Sequence, residues 1–304
     1  MTPAVPFHAV YDTASLYNRR RLPHYYHGRE DVDLVTEVLA CHYSDATAKL
    51  AILELGCGTG RITEKLVPYA RRLVATDNST AMLDVVRSRY SQVSCVCADT
   101  RDVVAVFRTD EAHGFDVVVD CWSLSYPLGA YYETLTAEGV HLAEDTARSR
   151  VEATRFVHDL VMLLAPSGHL VVLFFDANTP EQRLVTRQWE RIAPFPEGGR
   201  GYTLNLLLRG LRQAEDEGQG TLRHTRWSGT AWAPSYASAI AWFYDVHFMS
   251  LPALVGNPQV QHEVTAFVER HTLPDGSVAL PSGVHLIDFH AISHPSCHLP
   301  RHLP

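Results

Sequence analysis

The stretch Ile52-Leu53-Glu54-Leu55-Gly56-Cys57-Gly58-Thr59-Gly60-Arg61 holds the residue types and spacing that point most directly to chemistry. Three glycines at alternate positions follow a short apolar run and open a helical pattern. Glycine adopts backbone angles closed to other residues and lets a ligand come close to the main chain. A dinucleotide turn needs G-x-G-x-x-G/A, but the residue three after Gly58 is Arg61. The phosphate loop of NTPases needs Gly-Lys-Ser/Thr, which is absent here. Both phosphate readings fail, leaving a glycine turn with an acid, Glu54, just ahead of it.

Glu54-Leu55-Gly56-Cys57-Gly58-Thr59-Gly60 resembles the first motif of class I S-adenosylmethionine-dependent methyltransferases, (D/E)-x-G-x-G-x-G, and is complete. The resemblance implies S-adenosylmethionine as cofactor. A carboxylate suits that molecule because it carries an ammonium and a sulfonium instead of a pyrophosphate. The family's other landmarks follow in order. Asp77, in Ala75-Thr76-Asp77-Asn78-Ser79-Thr80-Ala81-Met82, stands where the family acid holds both ribose hydroxyls, with Asn78 and Met82 as neighbouring contacts. Two oxygens on one carboxylate match a vicinal diol. Asp99 stands where the family acid accepts from the adenine amino group, and the backbone N–H of Thr100 would reach the ring. Phe115 to Asp120 resembles the fourth-strand motif, and Leu164 to His169 the turn into the fifth strand. Cys121 and Ser123 are expected to meet the cofactor through their backbone, and Tyr11 and Tyr17 resemble the segment that closes over it in small-molecule members. The resemblance covers residues 30–176 and says much less about the methyl acceptor.

In open α/β sheets ligands sit at the carboxyl ends of the strands, so Cys121-Trp122-Ser123-Leu124-Ser125-Tyr126-Pro127 faces the transferred methyl. Members that methylate DNA bases or glutamine amides place Asn/Asp-Pro-Pro-Tyr/Phe here, and this chain does not. Trp122, Tyr126 and Tyr131 are candidate walls of the acceptor pocket, with packing beneath a lid as the competing reading. A hydroxyl acceptor benefits from a general base, whereas an amine needs only to lose its proton. His247, His224 and Asp120 are the candidate bases, each with a purely structural alternative. Asp120, Asp176 and Asn178 have the types used by metal-assisted O-methyltransferases, but no adjacent Asp-Asn pair exists and no metal is expected. The tail His294-Pro295-Ser296-Cys297-His298 reads as an irregular end that binds metal only adventitiously.

These residues need strands and helices to position them. Apolar runs at residues 50–55, 72–77, 93–98, 115–120 and 169–175 alternate with helical patterns at 61–70, 80–90 and 143–164. Ser79 is the expected N-cap of the second of these helices, and Cys95 and Cys97 are expected to alternate along a buried strand. Asp31 to Cys41 has helical spacing. The alternation predicts an α/β fold, a doubly wound Rossmann-like methyltransferase sheet with helices on both faces and added lid and substrate-binding insertions. Beyond Asp176, the stretches 202–208 and 221–227 read as strands, 236–243 and 259–271 as helices, and 284–292 as a late strand of the main sheet. The expected plan is a single domain: an N-terminal lid (1–30), a cofactor core (31–176), a substrate-side insertion with the last sheet strands (177–292) and a flexible tail (293–304).

With 304 residues, 46% of them hydrophobic and 20% charged, the chain has the balance of a globular protein. Its formal net charge of -8 argues against nucleic acid or an anionic membrane as partner. No segment approaches the ~18 apolar residues of a membrane span. The six cysteines form no C-x-x-C pair, and the N-terminus lacks the pattern of an export signal, so a cytoplasmic protein is expected. The reading is a methyltransferase acting at N or O of a small molecule in specialised metabolism, as a monomer or homodimer. A non-methylating cyclisation or rearrangement on the same cofactor, and a protein or tRNA methyltransferase, stay open as alternatives.

Overall fold

Leu50–Leu55 is buried at every position, as an apolar run must be when both faces of a parallel strand are covered. In the computed structural model, which describes residues 19–43, 49–108, 114–136 and 139–292, this run lies in the middle of the parallel part of a nine-stranded sheet. The strands are β1 (His24–Tyr26), β2 (Arg29–Glu30), β3 (Leu50–Leu55), β4 (Ala70–Asp77), β5 (Ser94–Cys97), β6 (Phe115–Cys121), β7 (Glu133–Thr136), β8 (Gly139–Leu142), β9 (Leu164–Phe175), β10 (Gly220–Ala233) and β11 (Val278–Ala291). The sheet order is β2-β1-β10-β11-β9-β6-β3-β4-β5, and β7-β8 form a separate hairpin. From β5 to β9 the neighbours are parallel. The last strand, β11, slots antiparallel between β9 and β10.

Helices cover both faces: α1 (Asp31–His42), α2 (Thr63–Leu66), α3 (Thr80–Arg89), α4 (Thr100–Arg108), α5 (Ser125–Gly129), α6 (Thr146–Val161), α7 (Pro180–Trp189), α8 (Tyr202–Asp216), α9 (Tyr236–Trp242), α10 (Pro252–Val255) and α11 (Pro258–Arg270). One core joins α6 and α8 to one face of the sheet through Phe156, Leu160, Leu207, Leu211, Val118, Leu170 and Val172. A second packs α1 and α3 on the other face through Val35, Leu39, Leu83, Val86, Ile52 and Val171. A third gathers α7, α9 and α11 around Val185, Trp242, Phe243, Val264 and Leu280.

Most expected elements are present with shifted ends. Ser79 caps α3 by accepting from the Met82 N–H at 3.4 Å. Two expectations are overturned. Residues 202–208 form the start of a helix, not a strand: the Leu204, Leu207, Leu208 and Leu211 spacing of three and four lays a stripe against α6 and the sheet, which the run Leu206-Leu207-Leu208 obscures. Cys95 and Cys97 are not in a buried strand, because β5 is the edge of the sheet, where Cys95 is half-buried and Cys97 exposed. The anticipated lid segment is also partly sheet, since β1 pairs with β10 and extends the sheet at its other side. Tyr11, Tyr17 and the tail 293–304 lie outside the described residues.

Candidate active site

The glycine turn sits at the carboxyl end of β3, where the chain must reverse tightly before α2. Gly56, Gly58 and Gly60 have φ of 62°, 54° and 86°, a region costly for side chains bearing Cβ. A Cβ at Gly56 would collide with Oγ and Cβ of Ser123, so the β6 loop packs directly on the turn. At Gly58 nothing lies within 4 Å, which leaves its surface open. The turn is pinned by Cys57 N donating to Thr76 O at 2.8 Å and Gly58 N donating to Asp77 Oδ2 at 2.8 Å.

Carboxylates line the same edge of the parallel sheet. Glu54 is buried near the end of β3; Thr63 Oγ1 donates to its Oε2 at 2.6 Å, while Oε1 is buried with no hydrogen-bond partner. Burial, with Asp77 and Asp120 adding repulsion, pushes the Glu54 carboxyl up to about 8 against the pull of the Thr63 hydrogen bonds. Asp77 ends β4 and accepts from the Gly58 N–H on Oδ2 and from the Ser79 N–H on Oδ1. Asp99 follows β5 and is held by Arg101 through its backbone N–H and guanidinium, at 2.8 and 2.9 Å to Oδ1. Asp120, fully buried in β6, accepts from the backbone N–H groups of Ser123 and Leu124 at 3.1 Å and from Ser123 Oγ. Burial raises its carboxyl to about 7 despite these bonds.

Beyond the β6 turn lies a second polar group. Trp122, at φ 71°, donates its indole N–H to Asp31 Oδ2 at 2.8 Å, and Arg61 Nη2 donates to the same oxygen at 2.6 Å. Burial works against Asp31 ionising, but Arg61, His24 and the Trp122 indole hold its carboxyl below the usual range. The His24 ring lies 5.5 Å from the Trp122 ring and 5.8 Å from that of Trp242. His24 Nδ1 and Tyr26 Oη meet Ser282 Oγ at 2.9 and 3.2 Å. Glu181, buried at the start of α7, accepts from the Trp242 indole at 2.5 Å, and His247 Nε2 stands 3.7 Å from the same oxygen. Burial lowers both His24 and His247, so each is neutral near pH 7. Glu181 is held below its ordinary range by His247, His24 and Trp242 in spite of burial.

A family model described as a methyltransferase domain matches residues 52–144, the segment that holds the glycine turn and the strand-end acids. In that segment the chain is similar to methyltransferase domains. Nodulation protein S of Sinorhizobium fredii is 33% identical over 145 residues, 46% of this chain and 52% of that protein. Nodulation protein S of Rhizobium tropici is 31% identical over 122 residues, 39% of this chain and 40% of that protein. The chain thus spans about half, or less, of the curated relatives it matches. The YcgJ protein of Bacillus subtilis shares the fold, with a TM-score of 0.50 at 11% identity over 86% of this chain and 98% of that one.

S-adenosylmethionine, the cofactor implied by the motif resemblance, suits this crevice by its charge. Glu54 presents a buried, unpartnered oxygen, and the nearby Asp77 and Asp120 raise its cost of ionisation. A cation entering here relieves that cost, whereas a pyrophosphate would add to it.

Among the other anticipated residues, Met82 is buried in α3, Asn78 is exposed, and Thr100 and Cys121 are half-buried. Trp122 sits between the crevice and the second polar group, while Tyr126 is 41% exposed. Tyr131 lies under the Arg101 guanidinium, 5.8 Å from its ring centre. The three candidate bases separate. His247 joins the Glu181 group, and Asp120 is engaged in closing the β6 turn. His224 lies exposed on β10 with Nε2 2.8 Å from His285 Nδ1, not at the Ala231 end of that strand, where it pairs with His24. No sequence motif marks His24, Asp31, Glu181 or Ser282, which the fold alone brings to the site.

Proposed function

We propose that the protein transfers a methyl group from S-adenosylmethionine to N or O of a small molecule, in specialised metabolism in the cytoplasm. Glu54 supports this reading most directly: a buried carboxyl with one orphaned oxygen, beside an open glycine turn, is suited to a cationic ligand. Bound there, S-adenosylmethionine supplies an electrophilic methyl on a sulfonium. Glu54 would face its cationic part, Asp77 the ribose diol, and Asp99 with Thr100 the adenine edge. Cys121 and Ser123 would line the crevice floor.

Trp122 would form the wall between cofactor and acceptor, with Tyr126 and Tyr131 further out. Displacement at a methyl needs alignment and exclusion of water more than strong acid–base assistance. The acceptor still sheds a proton. His24 and His247, neutral through burial and backed by Glu181, are the groups able to take it. The competing candidates contribute differently in this reading: Asp120 shapes the loop that carries Ser123, and His224 serves β10 instead of the acceptor. No helix among the described residues is long and apolar enough to cross a membrane.

The test is incubation of the full chain with methyl-labelled S-adenosylmethionine and panels of small amines, phenols and alcohols. Label in a small-molecule product, with S-adenosylhomocysteine formed in equal amount, supports the reading. Label only in protein or RNA, or product without S-adenosylhomocysteine, overturns it.

A further inference from the structure

At the opposite end of the strands from the glycine turn, three elements bring metal-ligating side chains together. His42 ends α1, His169 lies in β9 before its buried apolar run, and Asp288 lies late in β11. One ligand atom from each of His42, His169 and Asp288 falls within 4.8 Å of the other two. Asp288 Oδ1 is 2.7 Å from His169 Nδ1, and Oδ2 is 2.9 Å from His42 Nε2. The His42 and His169 rings are stacked 3.9 Å apart at 29°, with their nitrogens toward the same carboxylate. His290 stacks on His169 at 4.4 Å and 7°, filling space beside it.

We propose that His42, His169 and Asp288 bind one divalent transition-metal ion of the zinc type, as a structural site separate from the cofactor crevice. Two imidazoles and a carboxylate are a donor set zinc accepts, at ligand distances of about 2.0–2.2 Å. Ligand atoms around a tetrahedral ion stand roughly 3.3 Å apart, so the two N···O contacts must open by about half an ångström and the stacked imidazole rings must turn to face the ion. His169 and Asp288 are buried and fixed by the sheet, whereas His42 is exposed, leaving a route for the ion and a solvent ligand in the fourth position. The two N···O contacts stand in for the ion: each imidazole donates a proton to the carboxylate, and both protons must leave those nitrogens as the metal enters.

The location gives the site a purpose. Asp31 at the start of α1 is tied to Arg61 and Trp122 at the crevice, and His42 ends the same helix. An ion at His42 would lock the far end of α1 to β9 and β11, so that the helix carrying Asp31 is held at both ends. This inference does not rest on methyl transfer.

The full chain, stripped of metal, is titrated with Zn2+ by calorimetry and with Co2+ by visible absorption. One ion per chain, a raised melting temperature and the intense bands of four-coordinate cobalt are expected. Asp288→Asn and His169→Ala should each weaken Zn2+ at least tenfold. Because those positions are buried, His42→Gln at the exposed end is the deciding variant: it should weaken Zn2+ at least tenfold while S-adenosylmethionine still binds. A full chain carrying His294→Ala, Cys297→Ser and His298→Ala should keep the affinity. No saturable binding, or binding that survives His42→Gln and disappears with the tail substitutions, overturns the site and leaves a hydrogen-bonded His-Asp-His bridge.

Discussion

The crevice at the end of β3 and the polar group beyond Trp122 are both rich in buried carboxyls, yet their charges are balanced in opposite ways. Around the glycine turn, burial leaves Glu54 and Asp120 raised to about 8 and about 7. Beyond Trp122, Asp31 and Glu181 are as deeply buried but lowered, each beside an arginine or histidine supplied by the chain. In the second group Asp31 is ion-paired with Arg61, and Glu181 accepts from the Trp242 indole beside His247. The first is short of positive charge, and that deficit is what a sulfonium and an ammonium make good.

Substitutions should separate the halves. Asp77→Ala removes the acceptor of two candidate hydroxyl hydrogen bonds and frees the Gly58 and Ser79 N–H groups. At about 1.5–3 kcal/mol for each hydrogen bond to a charged group, S-adenosylmethionine affinity should fall at least 100-fold by calorimetry. A change below threefold would break the assignment of the crevice. Gly56→Ala drives a Cβ into the Ser123 side chain at a φ of 62°. It should cost about 2–4 kcal/mol in denaturant unfolding, against about 1 kcal/mol for Gly28→Ala, where φ is 81° and nothing lies within 4 Å. Equal losses would mean that the β6 loop does not press on the turn. Glu181→Gln keeps the shape of the group beyond Trp122 but removes a carboxylate from it. It should lower kcat/KM about tenfold while cofactor affinity stays within twofold. A matching loss of cofactor affinity would merge the two regions into one.

The contrast between the halves also explains what the sequence disclosed. In the cofactor half, partners are near neighbours along the chain: Glu54 and Thr63 are 9 residues apart, and Gly58 and Asp77 are 19. A strand, turn and helix write such contacts as a local motif, so the crevice and the parallel order could be read directly. In the group beyond Trp122, Trp122 meets Asp31 across 91 residues, Glu181 meets Trp242 across 61, and His24 meets Ser282 across 258. No spacing rule spans those distances. His247 lies in a π-helical turn, Phe243–Phe248, a geometry without a sequence signature but one that recurs at functional sites. His24 was hidden for another reason, since β1 has only 3 residues and is ordered by pairing with β10. The leucines of α8 misled because a continuous apolar run fits strand and helix alike.

The smallest effect tests the charge deficit itself. Glu54 is raised in the folded chain, so the unfolded chain gives up this proton first as pH rises. Stability associated with the protonated carboxyl is therefore full below about pH 4.5 and is lost as pH climbs through about 8. His24 and His247 are lowered, and they act in the opposite sense only below 6.5. Asp120 has largely completed its loss above about 7. Between pH 7 and 8 Glu54 thus dominates, and the ligand-free chain should lose up to about 1.4 kcal/mol of stability per pH unit. Glu54→Gln should remove most of that slope. Saturating S-adenosylmethionine should flatten it in the parent chain, because a cation beside Glu54 favours the ionised form at neutral pH, and binding near pH 7 should release close to one proton. Calorimetry in buffers of different ionisation enthalpy measures that proton directly. If no proton is released, and the slope persists in Glu54→Gln, the carboxyl is already satisfied within the chain and the contrast between the two halves fails.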